Sequence, residues 1–193
     1  MKEIILAFII LFSLNLQAQD EPTGVYRNIY KCSDSIRSNK LTGKVSQKAM
    51  NTADSLNNYH PKAYFLKTVD LLMQSNYNDA AYIFLLGEMR MDYYGLFTKY
   101  DKDFYDFHHT VKDPVYMFLR SNIDNFIALL KLSAAYNRQH DYAYKSGKLK
   151  PENYKESGAI QDRMATQFHI NKAYFENMWL RERKEQEPTK TNK

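Results

Sequence analysis

The stretch A-A-Y-I-F-L-L-G, Ala80 to Gly87, constrains this chain more than any other. Eight consecutive residues carry no charge and almost no polarity, so a helix built on them is apolar on every side. Such a helix has to be covered on every side, because exposed apolar area is costly in water. The rest of the chain must therefore supply a shell around it. That shell is helical too. The 193 residues hold only six glycines and five prolines, and the apolar positions recur with a period near 3.6 rather than 2. The sequence predicts an all-α fold of six to eight helices, packed as antiparallel hairpins in an irregular bundle.

Local signals place the helices. Val25, Ile29, Cys32 and Ile36 make a stripe over Gly24 to Ser38, and the polar run Asn39 to Lys44 reads as a turn. Ser46 opens a helix to Asn57 that turns Met50, Ala53 and Leu56 inward. His60-Pro61 breaks it, with Pro61 as the first residue of the next helix. That helix runs to Ser75 with Phe65, Leu66, Val69, Leu72 and Met73 on its inner face. Asn78 is the expected cap of the central helix, which continues to about Phe97. Asp113-Pro114 reads as a further start signal, for a helix ending near Arg120. Ser121-Asn122 recaps a helix from Ile123 to about Tyr144, striped by Phe126, Ile127, Leu130 and Ala134. Gly147 to Pro151 is a loop. One last helix is expected from Ala159 to Glu185, with Met164, Phe168, Phe175, Met178 and Trp179 inward.

The N-terminus has a different composition. After Lys2, Ile4 to Leu16 is an apolar run of thirteen residues broken only by Ser13 and Asn15. As a helix it spans roughly 20 Å, short of the ~30 Å hydrocarbon core of a bilayer. It reads as a signal peptide over residues 1–18, followed by a single helical domain over 19–187 and a disordered polar tail over 188–193. The ending L-Q-A-Q resembles the signal peptides of exported Bacteroidetes proteins, which implies a Gram-negative periplasm. Cys32 lies too far from the apolar run for a lipobox, so no stable membrane anchor is expected after cleavage. As the only cysteine it has no internal disulfide partner. Removing residues 1–18 takes away Lys2 and Glu3, and the net charge stays +5. The basic residues are spread out with no arginine-rich run, which argues against nucleic acid as a partner.

Two resemblances attach to the central helix. The pair 61–75 and 78–97 resembles a tetratricopeptide or Sel1-like hairpin, with Tyr77, Ala80 and Phe84 at that repeat's large–small–aromatic spacing and Gly87 where a small residue is expected. Ala80–Arg90 followed by Val111–Ile123 resembles a family of small exported bacterial helical proteins. Their pattern is an aromatic-rich helix ending G-Q-x-R and a later V-G-x-P-I-N-E-Y helix with a Gly-Asp break. Here Gly87 and Arg90 match, Glu88 replaces Gln, and Ser121-Asn122 replaces Gly-Asp. The resemblance implies a helical fold and singles out Gly87 and Arg90. It carries no activity.

Candidate chemistry gathers in two places. Glu88 and Asp92 are one helical turn apart and share a face, a spacing usable by an acid–base pair or a metal. Arg90 points about 200° away from either. The structural expectation for Glu88 is a surface position or a lysine or arginine partner on a neighbouring helix. In D-F-Y-D-F-H-H-T-V-K-D-P, Asp103 to Pro114, the residues Phe104, Phe107, His108 and Val111 form an inward stripe, while Asp103, Asp106 and His109 fall on another face. His108 and His109 point about 100° apart and cannot share one ion. His108 is expected beside phenylalanines with one ring nitrogen satisfied.

The sequence lacks G-x-S-x-G, a phosphate-binding glycine loop, C-x-x-C and an EF-hand loop. These features favour a non-catalytic exported protein-interaction or binding protein with no catalytic residues, no metal and no cofactor, its partner a protein or peptide. An immunity protein against a toxin delivered to the periplasm is one specific form. The binding candidates are Glu88, Arg90, Asp92, Tyr93, Tyr94, Phe97, Tyr100, Asp106 and His109, the aromatic ones lining a groove edge. Two alternatives stand beside it. One is a metal-dependent or acid–base enzyme using Glu88, Asp92, Asp106 and His109. The other is a glycan or lipid binder built on the surface of sixteen tyrosines.

Overall fold

The computed structural model describes residues 24–95, 100–140, 142–144 and 152–186. The expected signal peptide, Phe97, the 147–151 loop and the polar tail lie outside the described residues. Among the described residues the chain is all-α, with eight helices: α1 Gly24–Ser38, α2 Gln47–Leu56, α3 Lys62–Met73, α4 Tyr77–Gly95, α5 Lys102–Arg120, α6 Ile123–Gln139, α7 Glu152–Ile170 and α8 Lys172–Gln186. None of the described helices is long and apolar enough to cross a membrane.

The apolar run fixes the arrangement. Ala80 to Gly87 are buried without exception, and α4 packs against α2, α3, α5, α6 and α7. Helix α3 comes closest. A Cβ placed on Gly87 meets the Tyr64 Cβ at 2.8 Å and the Phe65 Cε1 at 3.0 Å, so the glycine is what lets the two backbones approach. The turn between them has no glycine. Ser75 takes the left-handed conformation (φ 59°), with Asn76 N bonded to Leu71 O and Ser75 N to Leu72 O. That is the Schellman pattern of a helix C-terminus. Lys40, at φ 55°, ends α1 in the same way, with Leu41 N on Ile36 O.

Polar side chains then lock the loop after α1. Ser46 caps α2 by accepting from Ala49 N at 3.1 Å, and it donates its own N–H and hydroxyl to the Asp79 carboxylate at 2.8 and 2.6 Å. Asn78 is not the cap of α4. Inside the helix, its amide donates to the carbonyls of Leu41 and Lys44. Asn125 joins Asn78 Oδ1 to the Gly43 N–H.

Several expected boundaries and faces are corrected. Pro61 precedes α3 as its cap residue instead of opening it. Tyr64, Thr68 and Leu71 are buried on α3 while Met73 is exposed, so the inner face is turned from the expected one. Pro114 does not start a helix. Helix α5 runs straight through it from the Asp101 cap, whose carboxylate accepts from Phe104 N at 2.7 Å. Proline forfeits one backbone bond there, to Thr110 O. Buried Val111 and Val115 on either side hold the helix together. Helix α6, capped by Asn122 as expected, stops at Gln139. The single C-terminal helix is two. It begins at Glu152 and breaks at Asn171, whose side chain bonds back to Gln167 O at 3.1 Å. Asparagine competes for backbone acceptors in this way and weakens a helix interior.

Gly87→Ala is expected to destabilise the protein by about 1–3 kcal/mol, because the added methyl overpacks a site with no slack. Urea unfolding of the variant beside the native protein checks this, and equal midpoints would refute the close-contact account.

Candidate functional site

Helix α5 presents His108, Lys112, Tyr116 and Arg120 at four-residue intervals, a row that turns gradually from the core toward the surface by about 120° from first to last. His108 is at the buried end. Its Nε2 meets the Glu88 Oε1 of α4, and the two side chains are only 5% and 15% exposed. The imidazole stacks on Phe84 at 5.8 Å between ring centres and takes Phe65 edge-on at 4.9 Å. The expected phenylalanine neighbours of His108 are thus found, but on α3 and α4. The expected partner of Glu88 is corrected from a lysine or arginine to this histidine, which supplies the hydrogen-bonding group a buried carboxylate needs.

Asp92 follows Glu88 one turn on. The residue as a whole is exposed, yet the protein around its carboxyl group displaces water. With the Glu88 carboxylate adding repulsion, this pushes its pKa up to about 6, while His108 and Lys112 pull it down. Lys112 reaches toward the Tyr116 ring, its Nζ 5.2 Å from the centroid. Burial pushes the Tyr116 hydroxyl above its ordinary range, and Glu88 adds to that.

Beyond Lys112 a groove of about 430 Å³ opens between α1, α5 and α8. Its walls are Tyr30 from α1, Lys112, Tyr116, Met117 and Arg120 from α5, and Trp179, Glu182 and Arg183 from α8, with Asp113 and Ser121 at its margin. Trp179 and Tyr30 are nearly buried and form a firm floor. The Arg183 guanidinium lies 4.6 Å over the Tyr30 ring and grips the Asp34 carboxylate with two bonds of 3.0 and 2.9 Å. That grip holds the Asp34 carboxyl below its usual range. The clasp fixes α8 to α1 and so fixes the groove's width.

The residues singled out from the sequence are placed as follows. Arg90 is wholly buried on the other side of α4. It donates to Asn57 Oδ1 at 3.2 Å and to His140 O at 3.3 Å, and lies 4.7 Å over the Tyr142 ring. Asn57 links it to the hydroxyls of Tyr64 and Tyr136, and Tyr136 donates to Asp54 at 2.6 Å. Tyr93 is buried against Tyr142, not at an open edge. Tyr94 and Tyr100 are half-buried around His60 and Tyr144. Tyr100 donates its hydroxyl to Met91 O. Asp106 is held by Lys102, and His109 is exposed. The structure therefore brings Glu88 and Asp92 to His108, and leaves Asp106 with its own helix. Among the described residues, no three His, Cys, Asp or Glu side chains gather to hold a metal ion. The groove residues Tyr30, Lys112, Tyr116, Arg120, Trp179 and Arg183 are absent from the sequence-derived candidates. The four-residue spacing of Lys112, Tyr116 and Arg120 is the one local signal that marks them. In comparisons with known proteins, no family model, no curated protein and no solved structure matches this chain.

The Asp92 shift has a definite sign. Between its ordinary 3.8 and about 6 the folded protein holds a proton that the unfolded chain has lost. This stabilisation is complete below 3.8 and disappears as pH rises through about 6. Asp92→Asn is therefore expected to be more stable than the native protein at pH 7.5 and to lose that advantage near pH 4. Thermal melts at the two pH values check it, and an advantage that does not change with pH would refute it.

Proposed function

We propose that this chain is a non-catalytic binding protein, exported to the periplasm once residues 1–18 are removed, whose partner is a protein or peptide. The observation that carries the reading is the groove between α1, α5 and α8. It combines an aromatic floor, Tyr30 and Trp179, with the half-buried Met117 and the cationic side chains of Lys112 and Arg120. Aromatic and arginine side chains around a held cleft are what binding surfaces concentrate, because they bury large area at low entropic cost. The volume, about 430 Å³, suits a few side chains of a partner.

The groups behind the acid–base alternative support the same reading from the other side. Glu88 and His108 occupy each other in a nearly enclosed pair, and Asp106 is engaged by Lys102. His109 is exposed, its ring 5.7 Å from that of His108. An immunity-type role remains the specific form of this proposal, since such a protein needs a firm surface and no chemistry.

The test uses immobilised protein and a periplasmic extract from its host. Capture of a partner is expected to saturate, and to be lost with Met117→Glu, which places a carboxylate in the groove while circular dichroism confirms that the helices persist. No saturable partner, or a partner retained by the folded Met117→Glu variant, would count against the groove as the binding surface.

A further inference from the structure

The two α5 cations in the groove differ from the other basic groups around it. Arg183 is engaged by Asp34 through two short bonds. Lys112 has no carboxylate within 4.0 Å among the described residues, and its contact is the face of Tyr116. Arg120 forms a looser ion pair with Glu182, 3.8 Å apart and beyond hydrogen-bond length, with half of its side chain in water. Both cations line the groove, and Tyr116 stands midway between them.

We infer that the groove takes an extended acidic peptide segment, with carboxylates four residues apart seated on Lys112 and Arg120 and the side chain between them laid on Tyr116. This rests on the binding reading above and names the chemistry of its partner. The spacing is the argument. Residues eight apart on a helix are separated by about 12 Å along its axis. An extended chain rises about 3.3 Å per residue, so side chains four apart stand about 13 Å apart on one face, with the residue midway on that same face. Lys112, Tyr116 and Arg120 match that rise along the helix axis, while turning about 80° around it from first to last. Asp113 and Glu182 also line the groove, and Glu182 lies 3.8 Å from Arg120, so these two carboxylates limit how much negative charge the groove accepts. They also disfavour a polyanion charged at every unit, and in this way select spaced charges.

Fluorescence anisotropy of the purified full chain tests this with three probes at low salt. One is a labelled nonapeptide of threonine and valine with glutamate at its third and seventh positions. The second is the same peptide with glutamine there, and the third is labelled polygalacturonate. The glutamate peptide is expected to bind about tenfold more tightly than the glutamine one, the combined effect of two partly shielded ion pairs. Lys112→Gln and Arg120→Gln, both accessible side chains, are each expected to weaken it by about threefold to fivefold. Lys131→Gln, an exposed site on α6, leaves it unchanged. Equal binding of the two peptides overturns the acidic selection while leaving a peptide groove in place. Tighter binding of polygalacturonate, lost in the same two variants, overturns the peptide and assigns the groove to an acidic glycan. Binding of neither peptide overturns the inference. The capture experiment with Met117→Glu judges the broader reading separately.

Discussion

The burial of α4 on all sides is the constraint from which the rest of this structure follows. Enclosed by five other helices, the central stretch of α4 leaves no solvent face to which a charged residue can escape. Glu88 and Arg90 begin where the apolar run ends, and each must find its polar partners inside the protein. They project to different sides and organise different neighbourhoods. Glu88 meets His108 and joins α4 to α5. Arg90 gathers Asn57, the His140 carbonyl and the Tyr142 ring, which ties α4 to the end of α2 and the end of α6. A buried guanidinium or carboxylate contributes little net stability against apolar packing, but losing one partner is expensive. These two networks therefore act less as glue than as a statement of which helices belong where.

Sequence periodicity recovered the features set by local rules. The stripe of α1, the Ser46 and Asn122 caps and the enclosure of Ala80–Gly87 are encoded within a few residues of where they act. The failures are also physical. Ser75 ends α3 in the left-handed conformation without glycine, so the usual terminator is missing from the text, and the helix stops at Met73, short of the expected Ser75. Pro114 has the spelling of a helix start. One lost backbone bond is outweighed by the burial of Val111, Val115 and Phe118 along α5. Asn171 marks the break between α7 and α8, where its side chain adds a second donor to Gln167 O, a local feature that periodicity does not register. Tyr93, expected at an open edge, is buried against Tyr142, a neighbour far along the chain that no local pattern announces. The groove was the least legible feature of all. Its floor joins Tyr30 to Trp179, and nothing near either residue announces the other.

The two candidate regions divide the work along α5. Toward its start, His108 is locked into the core between Phe65, Phe84 and Glu88. Further along, Lys112, the half-buried Tyr116 and Arg120 line the groove. Asp92, near both Glu88 and Lys112, is the point where the buried pair and the cationic wall sense each other's charge. One helix thus carries an immobile end that sets its rotation and an accessible end that uses that rotation.

The Arg183–Asp34 clasp has a consequence for the order of assembly. It joins positions 149 residues apart, from the first described helix to the last. Hairpin contacts such as those of α3 with α4 form across short separations and lose little chain freedom. Closing a loop this long costs more, although the cost grows only with the logarithm of its length. The clasp is expected late in folding, on a core already built around α4. The groove has one wall from α1 and another from α8, so it comes into being only at that closing step. Partly folded chains with a native-like helical core then have no groove, and this surface exists only on molecules that have finished folding.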